Sequence, residues 1–148
     1  MIYLNFEKIF VRMKLLMIYC DRFAFKPTTR TLEDFEEVTE GNTFENALVA
    51  FIHAEEKDEA DIKGVETKMV KNLKWAAKKN NTRYVILHSF AHLSESKAGP
   101  YFTKELFDRV EARMKNADYD CDQTPFGYFL DLEVQAPGVS QARIYKSF

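Results

Sequence analysis

The sequence predicts an α/β (α+β) domain, a β-sheet with two main helices packed on it. Three observations predict it. Short runs rich in β-branched and aromatic residues alternate with two long segments of helical periodicity. The pieces run in the order β, β, α, β, α, β, β, and strand–helix–strand units of this kind bring a sheet with helices against it. No repeat, low-complexity tract or linker interrupts the 148 residues, so one domain is expected.

The elements follow in chain order. Met1 to Arg12 is apolar and basic by turns and lacks the apolar run and cleavage site of a signal peptide. It is read as an N-terminal extension, with Met13 the biological start, or as an edge strand in which Ile2, Leu4 and Phe6 alternate. Lys14 to Cys20 reads as a buried strand, followed by a second at Ala47–Ala54. A helix is predicted from about Ala60 to Asn80, because Ile62, Val65, Met69, Leu73 and Ala76 recur on one face. Lys71, Lys74 and Lys78 fall opposite, and Asn80-Asn81 is the stop. Tyr84–Ser89 is the next strand. The second helix is placed from Pro100 to Asn116, with Leu106, Phe107, Val110 and Met114 as its buried stripe and Pro100 in its first turn. Phe126–Val134 and a weaker Ala142–Tyr145 complete the strands.

Composition excludes several classes. With 46 % hydrophobic and 30 % charged residues the chain is neither disordered nor a membrane bundle. Lys+Arg is 21 and Asp+Glu is 23, a net charge of −2, which argues against a uniformly basic nucleic-acid binder but not against a local basic patch. Acids dominate from Glu33 to Asp61 and bases from Lys63 to Arg83. Both stretches read first as solvated faces, and the lysine stripe alternatively as a surface that meets phosphates. Cys20 and Cys121 make neither a disulfide framework nor a metal set, which fits a reducing, cytoplasmic setting.

Familiar catalytic signatures are absent. There is no P-loop, no G-x-G-x-x-G, no G-x-S-x-G and no H-E-x-x-H. His88 and His92 sit at a strand end and in the turn after it, so their spacing does not place them on one helical face. No metal and no cofactor are expected.

Two segments carry the information. His88-Ser89-Phe90-Ala91-His92-Leu93-Ser94 follows a buried strand and precedes a helix, where α/β proteins put binding groups, with Ser94 read as the helix N-cap. Thr124-Pro125-Phe126-Gly127-Tyr128-Phe129 reads as a strand whose backbone is closely approached. Core packing is the plain alternative for the aromatic residues, and a capped loop histidine for His92.

Both segments resemble signatures of the editing domain at the N-terminus of archaeal threonyl-tRNA synthetases. That family has a first strand of the type M-K-x-L-L-x-I-H-S-D, and Met13 to Asp21 reads M-K-L-L-M-I-Y-C-D, one residue shorter. Leu48-Val49-Ala50-Phe51-Ile52 and Glu55-Glu56-Lys57-Asp58-Glu59 match its next strand and acidic turn, Phe90-Ala91-His92-Leu93-Ser94 its F-A-H-L-S, and Pro125-Phe126-Gly127-Tyr128 its P-F-G-Y. The four motifs keep their order from residue 13 to about 145.

The resemblance implies a fold like that of D-aminoacyl-tRNA deacylases, usually a homodimer, that hydrolyses serine wrongly attached to threonine tRNA. Ser and Thr differ by one methyl, worth about 1–3 kcal/mol of discrimination, so a second site must remove errors. The family site is largely backbone, holds the 3′-terminal adenosine and seryl group, and lets the tRNA's own 2′-hydroxyl take part. Carried over residue by residue, His92 falls on the site histidine. Ser89 and Ala91 fall beside it, Ala54 and Glu55 end the bordering strand, Phe126 lies on the adenine side, and Tyr128 and Phe129 lie along the substrate. Two matches fail. The family's Lys after P-F-G-Y is Leu130 here, and the Glu of its G-H-P-L-A-E motif is Arg143. Lys97 or Lys146 is the candidate substitute. The implied function is hydrolysis of Ser-tRNA(Thr) in trans, beside a threonyl-tRNA synthetase. The alternative is a catalytically degenerate module that binds a tRNA end or a nucleotide.

Overall fold

The computed structural model describes residues 13–148, so the expectations for residues 1–12 lie outside the described residues. Six strands form one sheet: β1 (Lys14–Arg30), β2 (Asn42–His53), β3 (Tyr84–Ser89), β4 (Asp120–Gln123), β5 (Tyr128–Gln135) and β6 (Arg143–Ser147). The helices are α1 (Ile62–Lys79) and α2 (Pro100–Asn116). Sheet order is β4-β3-β2-β1-β5, with β6 also on β1. β1 is antiparallel to β2 along one edge, and its other edge takes β6 at Lys14–Ile18 and β5 from Arg22 onward. β2, β3 and β4 are parallel, joined through α1 and α2, as a strand–helix–strand order requires.

Period-two alternation divides the apolar residues between two cores. Leu15, Met17, Leu48, Ala50 and Ile52 pack with Met69, Leu73, Leu106, Phe107 and Val110 on the helix side. Cys20, Val49, Phe51 and Ile86 form the second cluster on the other side, with Phe23, Phe25 and Phe44. The inward set switches parity between Cys20 and Phe23 on β1 and between Phe44 and Ala47 on β2. Asn46, at that rung, has φ 53°, a left-handed conformation that Asn tolerates better than most residues. β5 then lies beside the far half of β1, and its Leu130 and Leu132 pack against the second cluster.

Some boundaries differ from the expected ones. β1 and β2 run well past the apolar runs, because pairing with each other and with β5 compensates for the polar residues at their ends. β4, D-C-D-Q, has only Cys121 buried and carries no periodicity to read. Phe126 and Gly127 form the turn before β5 rather than its first residues. Ser94 does not cap α2. Gly99 is its N-cap and Pro100 its first residue, since residues 93–98 are tied to the end of β2 instead.

Candidate functional site

The C-terminal ends of β2 and β3 and the start of β5 open onto a cavity of about 490 Å³, within the usual range of ligand sites, about 300–1,000 Å³. Its walls include Ala54, Ser89, Ala91, His92, Phe126, Tyr128, Phe129 and Leu130. The two informative segments, far apart in sequence, therefore meet. Glu55 and Arg143 do not line it. The Glu55 carboxylate is fully buried against Lys14, 2.7 Å away. Arg143 stands exposed on β6, opposite Ile18.

The loop after β3 is stapled to β2. Phe90 N–H donates to Ile52 O at 2.9 Å, and Ala98 N–H to Ala54 O at 2.8 Å. His53, with no exposed surface, receives Leu93 N–H on Nδ1 at 3.0 Å. Nε2 therefore carries the ring proton and donates to Ser96 O at 2.6 Å. The tautomer follows from its neighbours, and the 4.0 Å approach of Glu55 Oε2 is not an ion pair. His92 N–H is used internally, on Phe90 O at 2.9 Å, while the Ala91 amide makes no hydrogen bond among the described residues and is free for a ligand.

The opposite wall is built by the turn before β5. Gly127 has φ 83°, and a Cβ there would lie 2.9 Å from Leu32 Cβ. Its carbonyl accepts Thr31 N–H at 2.7 Å and Leu32 N–H at 3.2 Å. The close approach expected at this glycine is made by the chain's own 31–32 segment. Tyr128 Oη receives Val38 N–H at 3.0 Å, and Phe126 packs edge-on against Phe35, ring centroids 4.9 Å apart. The β1–β2 connection thus closes the site, which its acidic, loop-like sequence did not reveal.

Charge in the cavity is sparse. Among the described residues no carboxylate lines it, and Lys97 supplies a cation that makes no ion pair or hydrogen bond. Lys146, the other candidate, lies over Trp75, 4.9 Å from its ring, and not in the cavity. His88 is at the cavity floor, with Nδ1 2.9 Å from Thr124 Oγ1. Burial, and then the neighbouring His92, push its pKa down to about 4, so it is neutral. Both cysteines are buried and free. Burial raises the Cys20 thiol to about 11 and the Cys121 thiol to about 12, the reverse of an activated nucleophile.

A model of the archaea-specific editing domain of threonyl-tRNA synthetase matches residues 13–148. The chain belongs to this editing-domain family. Threonine–tRNA ligases from Pyrobaculum calidifontis, Methanosphaera stadtmanae and Hyperthermus butylicus are 30 %, 28 % and 25 % identical over 140, 128 and 142 residues. Those alignments cover 92 %, 85 % and 92 % of this chain. The editing domain spans under a quarter of these ligases, 22 %, 21 % and 23 % of their length. Its fold is shared with a solved structure titled c-Myc DNA Unwinding Element Binding Protein, at TM-score 0.61 and 10 % identity, over 90 % of this chain and 97 % of that one. The expected α/β architecture, a sheet with two main helices, is the one found, and among the described residues no helix is long and apolar enough to cross a membrane.

Proposed function

We propose that the domain hydrolyses the 3′-terminal ester of Ser-tRNA(Thr) in the cytoplasm, in the service of threonyl-tRNA synthetase. What carries the reading is the convergence of His92, the free Ala91 amide, Lys97, Phe126 and Tyr128 on one cavity of a threonyl-tRNA synthetase editing domain. In this reading Phe126 and Tyr128 take the terminal adenosine, with Ser89, Ala54 and Phe129 around the seryl group. Water attacks the ester carbonyl carbon, and the negative charge that develops on the carbonyl oxygen is met by the Ala91 amide and the Lys97 ammonium. The bond to the ribose oxygen breaks, and the water's proton ends on that oxygen. No carboxylate lines the wall among the described residues, and in this reading the base for the water is His92 or the 2′-hydroxyl of the substrate itself. Glu55 is given a supporting role under the site, not a contact with substrate. Two copies acting together belong to the same reading. Val134 on β5 and Tyr145 on β6 expose 44 % and 52 % of their surface and offer apolar area for such a contact, which light scattering would test.

The test is a deacylation time course with Ser-tRNA(Thr), Thr-tRNA(Thr) and a no-protein control. Selective loss of the seryl ester supports the reading. Equal inertness toward both esters overturns it. A binding module without hydrolysis is the second reading, favoured by Leu130, an apolar side chain in the cavity wall. Flat time courses with tight binding of a non-hydrolysable seryl-adenosine analogue would establish that one.

A further inference from the structure

Most of the lysines on α1 have no ionic partner among the described residues. At 3.6 residues per turn, Lys63, Lys68, Lys71, Lys74, Lys78 and Lys79 fall within about 160° of the helix circumference. Val65, Met69, Leu73 and Ala76 occupy the buried remainder. The helix's own acid, Glu66, is buried and faces α2, where it bonds Arg109 and Arg113. The outward arc therefore contains no carboxylate. Lys63, Lys68, Lys71, Lys74 and Lys78 join no ion pair among the described residues.

The other helix shows what an ordinary solvated face looks like in this protein. On α2, Lys104–Asp108, Arg109–Glu105 and Lys115–Glu111 pair at i,i+4 spacing. α1 instead lines up like charges, an arrangement that weakens an isolated helix. A second observation sits in the middle of the stripe. Trp75 is 42 % exposed, with Lys79 Nζ 4.8 Å and Lys146 Nζ 4.9 Å from its ring. Lys146 comes from β6, so strand and helix together extend the cationic surface.

We propose that the outward face of α1, with Trp75 and Lys146, is a docking surface for the phosphate backbone of RNA. Charge complementarity selects this occupant: the stripe is about 24 Å long by helix rise, matched to a regular polyanion. It rests on the reading of the cavity as a site for the 3′ end of tRNA. That cavity takes one terminal nucleoside, whereas the rest of the molecule is a polyphosphate that needs a separate hold.

The experiment uses the whole chain and two substrates, seryl-tRNA(Thr) and a minimal seryl-adenosine ester. Lys71→Gln/Lys74→Gln/Lys78→Gln is compared with the unaltered protein, and Trp75→Ala serves as a separate variant. The triple variant is expected to bind tRNA about 10- to 100-fold more weakly and to lower the slope of log K against log [salt] by about 2–3. Its hydrolysis of seryl-adenosine is expected to be unchanged, which also shows that it is folded. Unaltered tRNA affinity and salt slope in both variants would overturn the proposal, even if editing itself is confirmed. Failure of the editing reading is seen separately, as inertness of the unaltered protein toward both esters while the salt-dependent binding of tRNA persists. Weakened binding of an acidic protein in place of tRNA would also overturn it.

Discussion

Lys97, on the loop after β3, and Leu130, on β5, line the same cavity. The resemblance expects the cation at the second of these positions, and the structure has one at the first. If Lys97 stabilises the developing oxyanion, Lys97→Ala lowers kcat for seryl-tRNA hydrolysis by about 10²-fold with little change in KM. Leu130→Lys added to Lys97→Ala then restores part of the rate. Single-turnover kinetics on the four proteins of this cycle check it; no loss in Lys97→Ala rejects the assignment.

His53 holds the 93–96 segment through both ring nitrogens. Its replacement by Ala leaves the Leu93 N–H and the Ser96 carbonyl without partners, at about 1–3 kcal/mol each if they stay buried. The expected result is a lower Tm, a raised KM for seryl-tRNA and faster amide hydrogen exchange at Leu93. Asn accepts and donates from one side chain, so His53→Asn is expected to recover part of the protection where Ala does not. Equal exchange rates at Leu93 in all three proteins would remove His53 from this role.

The sheet and helices were legible because their apolar periodicities are long: Ile62 to Ala76 at helical spacing, and alternation in β1 and β2. So were the two segments that form the site, since each combines polar groups with a break in periodicity. What could not be read is set by tertiary contacts. β4 is a strand because Val85 and Leu87 offer it a parallel edge, not because D-C-D-Q has strand character. The Thr31–Leu32 wall depends on its hydrogen bonds to the Gly127 carbonyl, a contact across the chain that leaves no local mark. Ser94 has the chemistry of an N-cap, but the staples from His53 and Ala54 postpone the helix to Pro100.

Two buried groups, Asp58 and His88, shift stability in opposite directions on acidification. Burial raises the Asp58 carboxyl from its ordinary 3.8 to about 6, so its ionisation destabilises the fold by about 3 kcal/mol at pH 7. The stability of the state with Asp58 protonated is fully present below pH 3.8 and is lost as pH rises through about 6. Burial lowers His88 from 6.5 to about 4, so its contribution is present above pH 6.5 and is lost as pH falls through about 4. The two trends nearly cancel between pH 4 and 6. Asp58→Asn removes the first and exposes the second. The variant is expected to match or exceed the unaltered protein in stability at pH 7 and to lose stability more steeply on acidification, in urea titrations at pH 7, 6, 5 and 4. Parallel pH profiles would contradict the assignment.

Gly127 meets two demands at once, a φ of 83° and a contact with Leu32 that leaves no room for a Cβ. Gly127→Ala must strain the backbone and displace the 31–32 segment, whose amides bond the Gly127 carbonyl. The expected loss is about 1–3 kcal/mol, or roughly 3–10 °C in Tm. Because Thr31 and Leu32 wall the cavity, the KM for seryl-tRNA is expected to rise as well. Truncating the neighbour does not help: the clash is with Leu32 Cβ, which Leu32→Ala retains. The double variant Gly127→Ala/Leu32→Ala is therefore expected to be no more stable than Gly127→Ala. Recovery of Tm in the double variant would show that the leucine side chain beyond Cβ, and not the backbone approach, makes glycine necessary here.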